Sequence, residues 1–251
     1  MHKFVVALFV VCGVCVVTSR EASAQTAPWS DRGYINVGWG VESGSSAMTD
    51  SRTSTIYEET ATINSAATFT SGSLFDVGVG IRVWRNLTLG AAYHQEQNDT
   101  DGQLTGSIPS PTFFNQPRPL NETVPGLNRK EAATHLMIGW VMPFGPKFDV
   151  LVSGGPSFFR VEQDAVSSVA IGEAAGSFTT QPSITTSKKS QSGFNVGADA
   201  TYILWQNDSV RLGAGGFVRY TAADVSLPML TSEQPTEVGG MQFGFGARLR
   251  F

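Results

Sequence analysis

Met241-Gln242-Phe243-Gly244-Phe245-Gly246-Ala247-Arg248-Leu249-Arg250-Phe251 alternates without a break. Odd positions are Met, Phe, Phe, Ala, Leu and Phe; even positions are Gln, Gly, Gly, Arg and Arg. Successive side chains of a strand point to opposite faces, so this period of two predicts a strand with one apolar and one polar side. A tilted strand crosses a bilayer in about 9–11 residues, which is the length of this stretch.

The same alternation recurs upstream. Tyr34 to Val41 sets Ile35, Val37, Trp39 and Val41 against Asn36, Gly38 and Gly40. Phe75, Val77, Val79, Ile81 and Val83 oppose Asp76, Gly78, Gly80 and Arg82. After a tight turn at Arg85-Asn86, Leu87, Leu89, Ala91 and Tyr93 oppose Thr88, Gly90, Ala92, His94 and Glu96. A fourth strand presents Ala132, Thr134, Leu136, Ile138, Trp140 and Met142 outward. The fifth runs from Phe148 to about Glu162, and its alternation slips at Gly154-Gly155-Pro156, which predicts a bulge. A sixth carries Phe194, Val196, Ala198, Ala200, Tyr202 and Leu204, and a seventh Val210, Leu212, Ala214, Gly216, Val218 and Tyr220. The stretch quoted first is the eighth. Residues 25–31 read as a polar lead-in. Residues 43–73, 98–128, 163–189 and 227–236 read as long loops, the first with a hairpin beyond the membrane within 55–69. Ten strands rather than eight would result if that hairpin paired at membrane depth.

The rhythm of the connections sets the architecture. They are short after the second, fourth and sixth strands and long after the first, third, fifth and seventh. Short turns at one end, long loops at the other and an even strand number are the pattern of bacterial outer-membrane barrels. Structureless loops near thirty residues would be out of place in a compact soluble domain. The expected fold is all-β, an eight-stranded antiparallel up-and-down transmembrane β-barrel with long extracellular loops. Termini and short turns would then be periplasmic. Trp84, Trp140, Trp205 and Phe251 fall near the short-turn ends, and Tyr93 and Tyr220 near the long-loop ends, as interfacial aromatic girdles would.

The N-terminal residues fit export. His2 and Lys3 precede an apolar run from Phe4 to Val17, and Ala22-Ser23-Ala24 before Gln25 reads as a small-residue cleavage site. Residues 1–24 are therefore expected to be a cleaved signal peptide, with Ala22, Ala24 and Gln25 marking the cut and 25–251 forming one barrel domain. Cys12 and Cys15 lie inside that segment, so the mature chain has no thiol for a disulfide or a Cys-bound metal. Removing Lys3, Arg20 and Glu21 takes Lys+Arg from 17 to 15 and Asp+Glu from 21 to 20, a net charge of about −5. That balance speaks against a nucleic-acid partner.

The greasy terminal strand closed by Phe resembles the C-terminal signal of bacterial outer-membrane β-barrels. The whole mature chain is similar to small barrels such as the membrane domain of outer-membrane protein A, without an appended peptidoglycan-binding domain. The resemblance implies that Phe243, Phe245, Leu249 and Phe251 form the signal read by the barrel assembly machinery, with periplasmic chaperones as further partners. It implies outer-membrane lipid around Phe75, Val77, Val79, Ile81, Leu89, Leu136, Ile138, Val196, Leu212, Phe243, Phe245 and Leu249.

Inward positions hold many charges, among them Asp76, Arg82, Asp199, Arg211, Arg219, Arg248 and Arg250. The interior of an eight-stranded barrel is just wide enough for side chains to fill. A lumen plugged by Arg–carboxylate pairs is the expectation, the inward glycines leaving room for large side chains or a thin water path. Pairing across the second long loop brings His94 near His135 and Glu96 near Glu131. Two imidazoles and two carboxylates could bind a metal or act as an acid–base pair. Barrel enzymes that trim lipid A resemble this in using a His and an acidic residue, but they also place a Ser beside the His. Here Glu96 follows His94 by two, and no His-x-Ser or Gly-x-Ser-x-Gly motif occurs in a strand. The expected function is a non-enzymatic surface barrel without cofactor, catalytic residue or metal, its extracellular ligand unknown. A narrow channel is the first alternative and a lipid-modifying enzyme the second.

Overall fold

The computed structural model describes residues 29–70, 72–174, 177–228 and 233–251. The expected signal peptide and its cleavage residues lie outside them. The strands are β1 (Gly33–Ser43), β2 (Ser46–Ile56), β3 (Glu59–Phe69), β4 (Gly72–Trp84), β5 (Leu87–Ile108) and β6 (Arg118–Pro143). They continue as β7 (Phe148–Ala174), β8 (Ser177–Gln206), β9 (Arg211–Pro228), β10 (Glu233–Val238) and β11 (Met241–Arg250).

Eight of these close a ring in the order β1, β4, β5, β6, β7, β8, β9, β11, every neighbouring pair antiparallel. β11 closes it on β1, with Tyr34 opposite Arg250 at one end and Ser43 opposite Met241 at the other. The ring is eight-stranded, not ten. Among the described residues the β2–β3 hairpin pairs in register with the outer part of β5, Thr62–Ala66 against Gln103–Ser107, and not with the ring at membrane depth.

The segments read as loops are mostly β structure, a correction to the sequence reading. β7 has 27 residues and β8 has 30. At about 3.4 Å per residue a 30-residue strand is roughly 100 Å long, while a crossing uses about 9–11 residues. The surplus of β5 to β8, with the β2–β3 hairpin, forms a head at the long-connection end. Its core contains Met48, Phe69, Leu104, Ile108, Leu127 and Val166. One small core supports many paired residues there, so apolar positions are sparse and the alternation is faint. The head hairpin is longer than expected, spanning residues 46–69 around Tyr57-Glu58. Both turn residues are left-handed, φ 53° and 63°, as a two-residue type I′ turn requires.

Two further expectations are corrected. No bulge occurs at Gly154-Gly155-Pro156, because β7 keeps one register through it against both β6 and β8. The alternation breaks in the sequence because inward positions of β7 carry apolar Leu151, Phe159 and Val161. The register shifts lie instead at Arg82/Trp84, Thr100/Gly102, Val166/Ser168 and Ile203/Trp205. The lead-in is not merely polar. Trp29 is buried with Tyr34, Val141 and Leu151 and stops the short-turn end of the lumen. Its backbone N–H donates to Asn86 Oδ1 at 3.2 Å.

Candidate functional site

Among the described residues the lumen is the region where charged side chains are buried together, and inward parity of the ring strands brings them there. Arg250 is held by Asp149 at 3.2 Å, Asn36 at 2.8 Å and Thr201 at 2.5 Å. Arg248 grips Asp199 with two bonds, Nε to Oδ1 at 3.1 Å and Nη2 to Oδ2 at 2.6 Å. Arg219 donates to Asp76 Oδ2 at 2.7 Å. Three guanidinium groups thus answer three aspartates, which is how charge is tolerated away from water. The inward glycines are filled against. A Cβ on Gly80 would stand 2.4 Å from the Tyr34 ring, and one on Gly244 2.4 Å from that of Phe217.

Arg82 and Arg211 do not belong to this network. Both are half-buried at the short-turn rim, where Arg82 donates to the Trp29 carbonyl and Arg211 pairs with Asp31. The lead-in residues they hold carry no periodic signal, so parity alone placed the two arginines too deep.

Towards the head, β5 and β6 bring the histidines together. His94 Nδ1 lies 2.8 Å from His135 Nε2, and Glu96 pairs opposite Glu131. The structure adds partners that no motif along the chain would find. Ser157 on β7 stands opposite His135, Oγ to Nδ1 2.7 Å, and receives Asn195 Nδ2 from β8 at 2.9 Å. A Ser therefore does lie beside a His, correcting the sequence reading, but both are fully buried and turned into the lumen. Glu42 comes from β1 and accepts from Gln242 Nε2 at 2.7 Å. Among the described residues, Glu42, His94 and Glu131 offer ligand atoms all within 4.8 Å of one another and form the candidate metal set. Phe159 edges against both imidazoles, with ring centroids 6.4 and 6.2 Å away.

Residues 9–251 match the family described as outer membrane protein beta-barrel domain. The chain belongs to this family of outer-membrane barrels. No curated protein matches it. Among solved structures, Neisserial surface protein A is similar at 13% identity, covering 87% of this chain and 97% of its own, with a TM-score of 0.44. Ail, the attachment invasion locus protein of Yersinia pestis, is 10% identical over 88% of this chain and 99% of its own, TM-score 0.38. The outer membrane protease OmpT from Escherichia coli is 11% identical over 91% and 97%, TM-score 0.29.

In this outer-membrane barrel, Phe75, Val79, Ile81, Leu89, Leu136, Ile138, Val196, Leu212, Phe243 and Phe245 lie exposed on the outer surface. Val77 and Leu249 are half-buried between neighbouring strands. Trp84, Trp140 and Trp205 are exposed near the short turns. Phe251 is exposed too, and its backbone exchanges hydrogen bonds with Gly33.

The head of the outer-membrane barrel carries one clasp that the sequence did not suggest. Arg118 on β6 forks onto Glu173 on β7 at 2.8 and 2.5 Å, and Tyr57 OH donates to the same carboxylate at 3.3 Å. These bonds hold the Glu173 carboxyl below its ordinary range. Free glutamate titrates at about 4.3, so the clasp is complete above that pH and is lost as pH falls through the depressed value. Hydrogen-exchange protection at the Tyr57-Glu58 turn, taken relative to the intrinsic exchange rate at each pH, should therefore be high at neutral pH and fall in acid. Glu173→Gln should exchange fast at both; a slow turn in that variant would dismiss the clasp.

Proposed function

We propose that this protein is a non-enzymatic outer-membrane barrel whose membrane part is a plugged anchor and whose working part is the head. Short turns and both termini face the periplasm, and the head stands outside the cell. The lumen carries this reading: from Trp29 to Phe159 it is filled by packed rings and by Arg–Asp pairs that satisfy one another. The burial of Ser157 and His135 favours the non-enzymatic role, since a lipid substrate at the outer surface has no contact with either. The apolar belt implies surrounding lipid, and delivery there calls for the assembly machinery and chaperones that handle such strands.

Planar-bilayer recording of the inserted protein tests the reading. The expected trace is silent at moderate voltage. Steady steps that disappear when Arg219 or Arg248 is altered would replace the anchor with a narrow channel.

A further inference from the structure

We infer that the upper lumen binds one divalent transition-metal ion of the zinc class through Glu42, His94 and Glu131. The three come from β1, β5 and β6, and their exposures are 4%, 0% and 3%. Ligands about 2.0–2.2 Å from a zinc-class ion stand about 3.4 Å apart in a tetrahedron, so atoms within 4.8 Å of one another close on the ion by side-chain shifts of about an ångström. An imidazole with two carboxylates suits zinc and its first-row neighbours better than calcium or magnesium, which take oxygen alone.

Two independent observations point to a missing cation. The first is charge. Glu42, Glu96 and Glu131 share this end of the lumen, and among the described residues Arg129 is the one guanidinium paired with them, 3.3 Å from Glu131. Arg219 is already committed to Asp76. Buried carboxylates are ordinarily paired or bound to metal, and a divalent ion would balance the two left over. The second is an orphaned atom. Glu131 Oε1 is buried without a hydrogen-bond partner among the described residues, although Oε2 is held by Arg129. A buried unsatisfied oxygen is costly unless something binds it.

The surroundings also orient the imidazole. With Nε2 of His94 on the ion, its Nδ1–H donates to His135 Nε2, and His135 Nδ1–H donates to Ser157 Oγ. Metal-bound histidines commonly have their second nitrogen fixed in this way. Gln242 Nε2 now bridges the two ligands, 2.7 Å from Glu42 Oε2 and 3.3 Å from His94 Nε2, and gives way as the ion enters.

The test uses untagged protein extracted from membranes, stripped by a chelator and titrated calorimetrically with zinc alone. One ion per chain is expected, with zinc raising the melting temperature. X-ray absorption should show one imidazole among oxygen neighbours. The chain has three histidines, and only His94 and His135 lie beyond residue 2, so an imidazole signal reports on this cluster even if variants fold poorly. Glu42→Gln and Glu131→Gln should each weaken binding at least 100-fold. His135→Asn, which acts only by positioning, should weaken it by about 10–100-fold. No binding, an absorption spectrum with no imidazole or with two, or full affinity in the Glu42→Gln/Glu131→Gln double variant would overturn the assignment.

Discussion

Arg248→Met should destabilise the barrel by about 3–5 kcal/mol, the largest loss expected from any single change in the lumen. Arg248 is 1% exposed and makes two short bonds to Asp199. Methionine fills much of the same volume, so the loss is that of a carboxylate left buried with only Thr201 at 3.2 Å and the more distant Arg250 at 3.8 Å to answer it. The intact pair is a different quantity. Its attraction roughly repays the desolvation of both ions, so Arg248→Met combined with Asp199→Leu should recover most of the loss. Equilibrium unfolding by urea in lipid vesicles measures all three proteins. A single variant within about 1 kcal/mol of the parent would mean that water reaches Asp199, and the plugged lumen would be wrong.

Phe245→Arg should cost about 2–4 kcal/mol, because a charge at the middle of a barrel's lipid face must be dehydrated. Phe245 is 73% exposed midway along β11, and Phe114, 79% exposed, sits in the β5–β6 connection of the head. The two are alike in exposure and differ in solvent. Phe114→Arg should change stability by no more than about 0.5 kcal/mol, since it meets water. Equal costs in the same unfolding assay would show that β11 does not face lipid at that depth.

What was legible in the sequence follows from how far each signal reaches. Inside–outside parity is local, so Val79, Leu89 and Phe243 could be assigned from their neighbours alone. Strand count came from the alternation of short and long connections, a pattern that survives errors at strand ends. The meeting of His94 and His135 was readable because one hairpin register fixes it. Ser157 and Glu42 were not, since they reach that pair across other strands and across the lumen, where spacing along the chain says nothing. Trp29 was missed because a single ring among polar residues has no period. The head was read as loop because its Ser and Thr strands bury few residues, and Tyr57-Glu58 lacks the Asn-Gly or Asp-Gly that usually announces a type I′ turn.

The strands that build the head are the strands that line the membrane. β7 and β8 stay paired from Phe148 opposite Tyr202 to Ala174 opposite Ser177, with a single one-residue shift between Val166 and Ser168. β7 and β8 thus run as one continuous ribbon from the membrane part into the head. A pull at its tip would draw β7 and β8 the same way and load their ladders to β6 and β9 along the strands, in shear, where many bonds must fail together. Such a ribbon would hold under a pull that would peel a hairpin open from its turn.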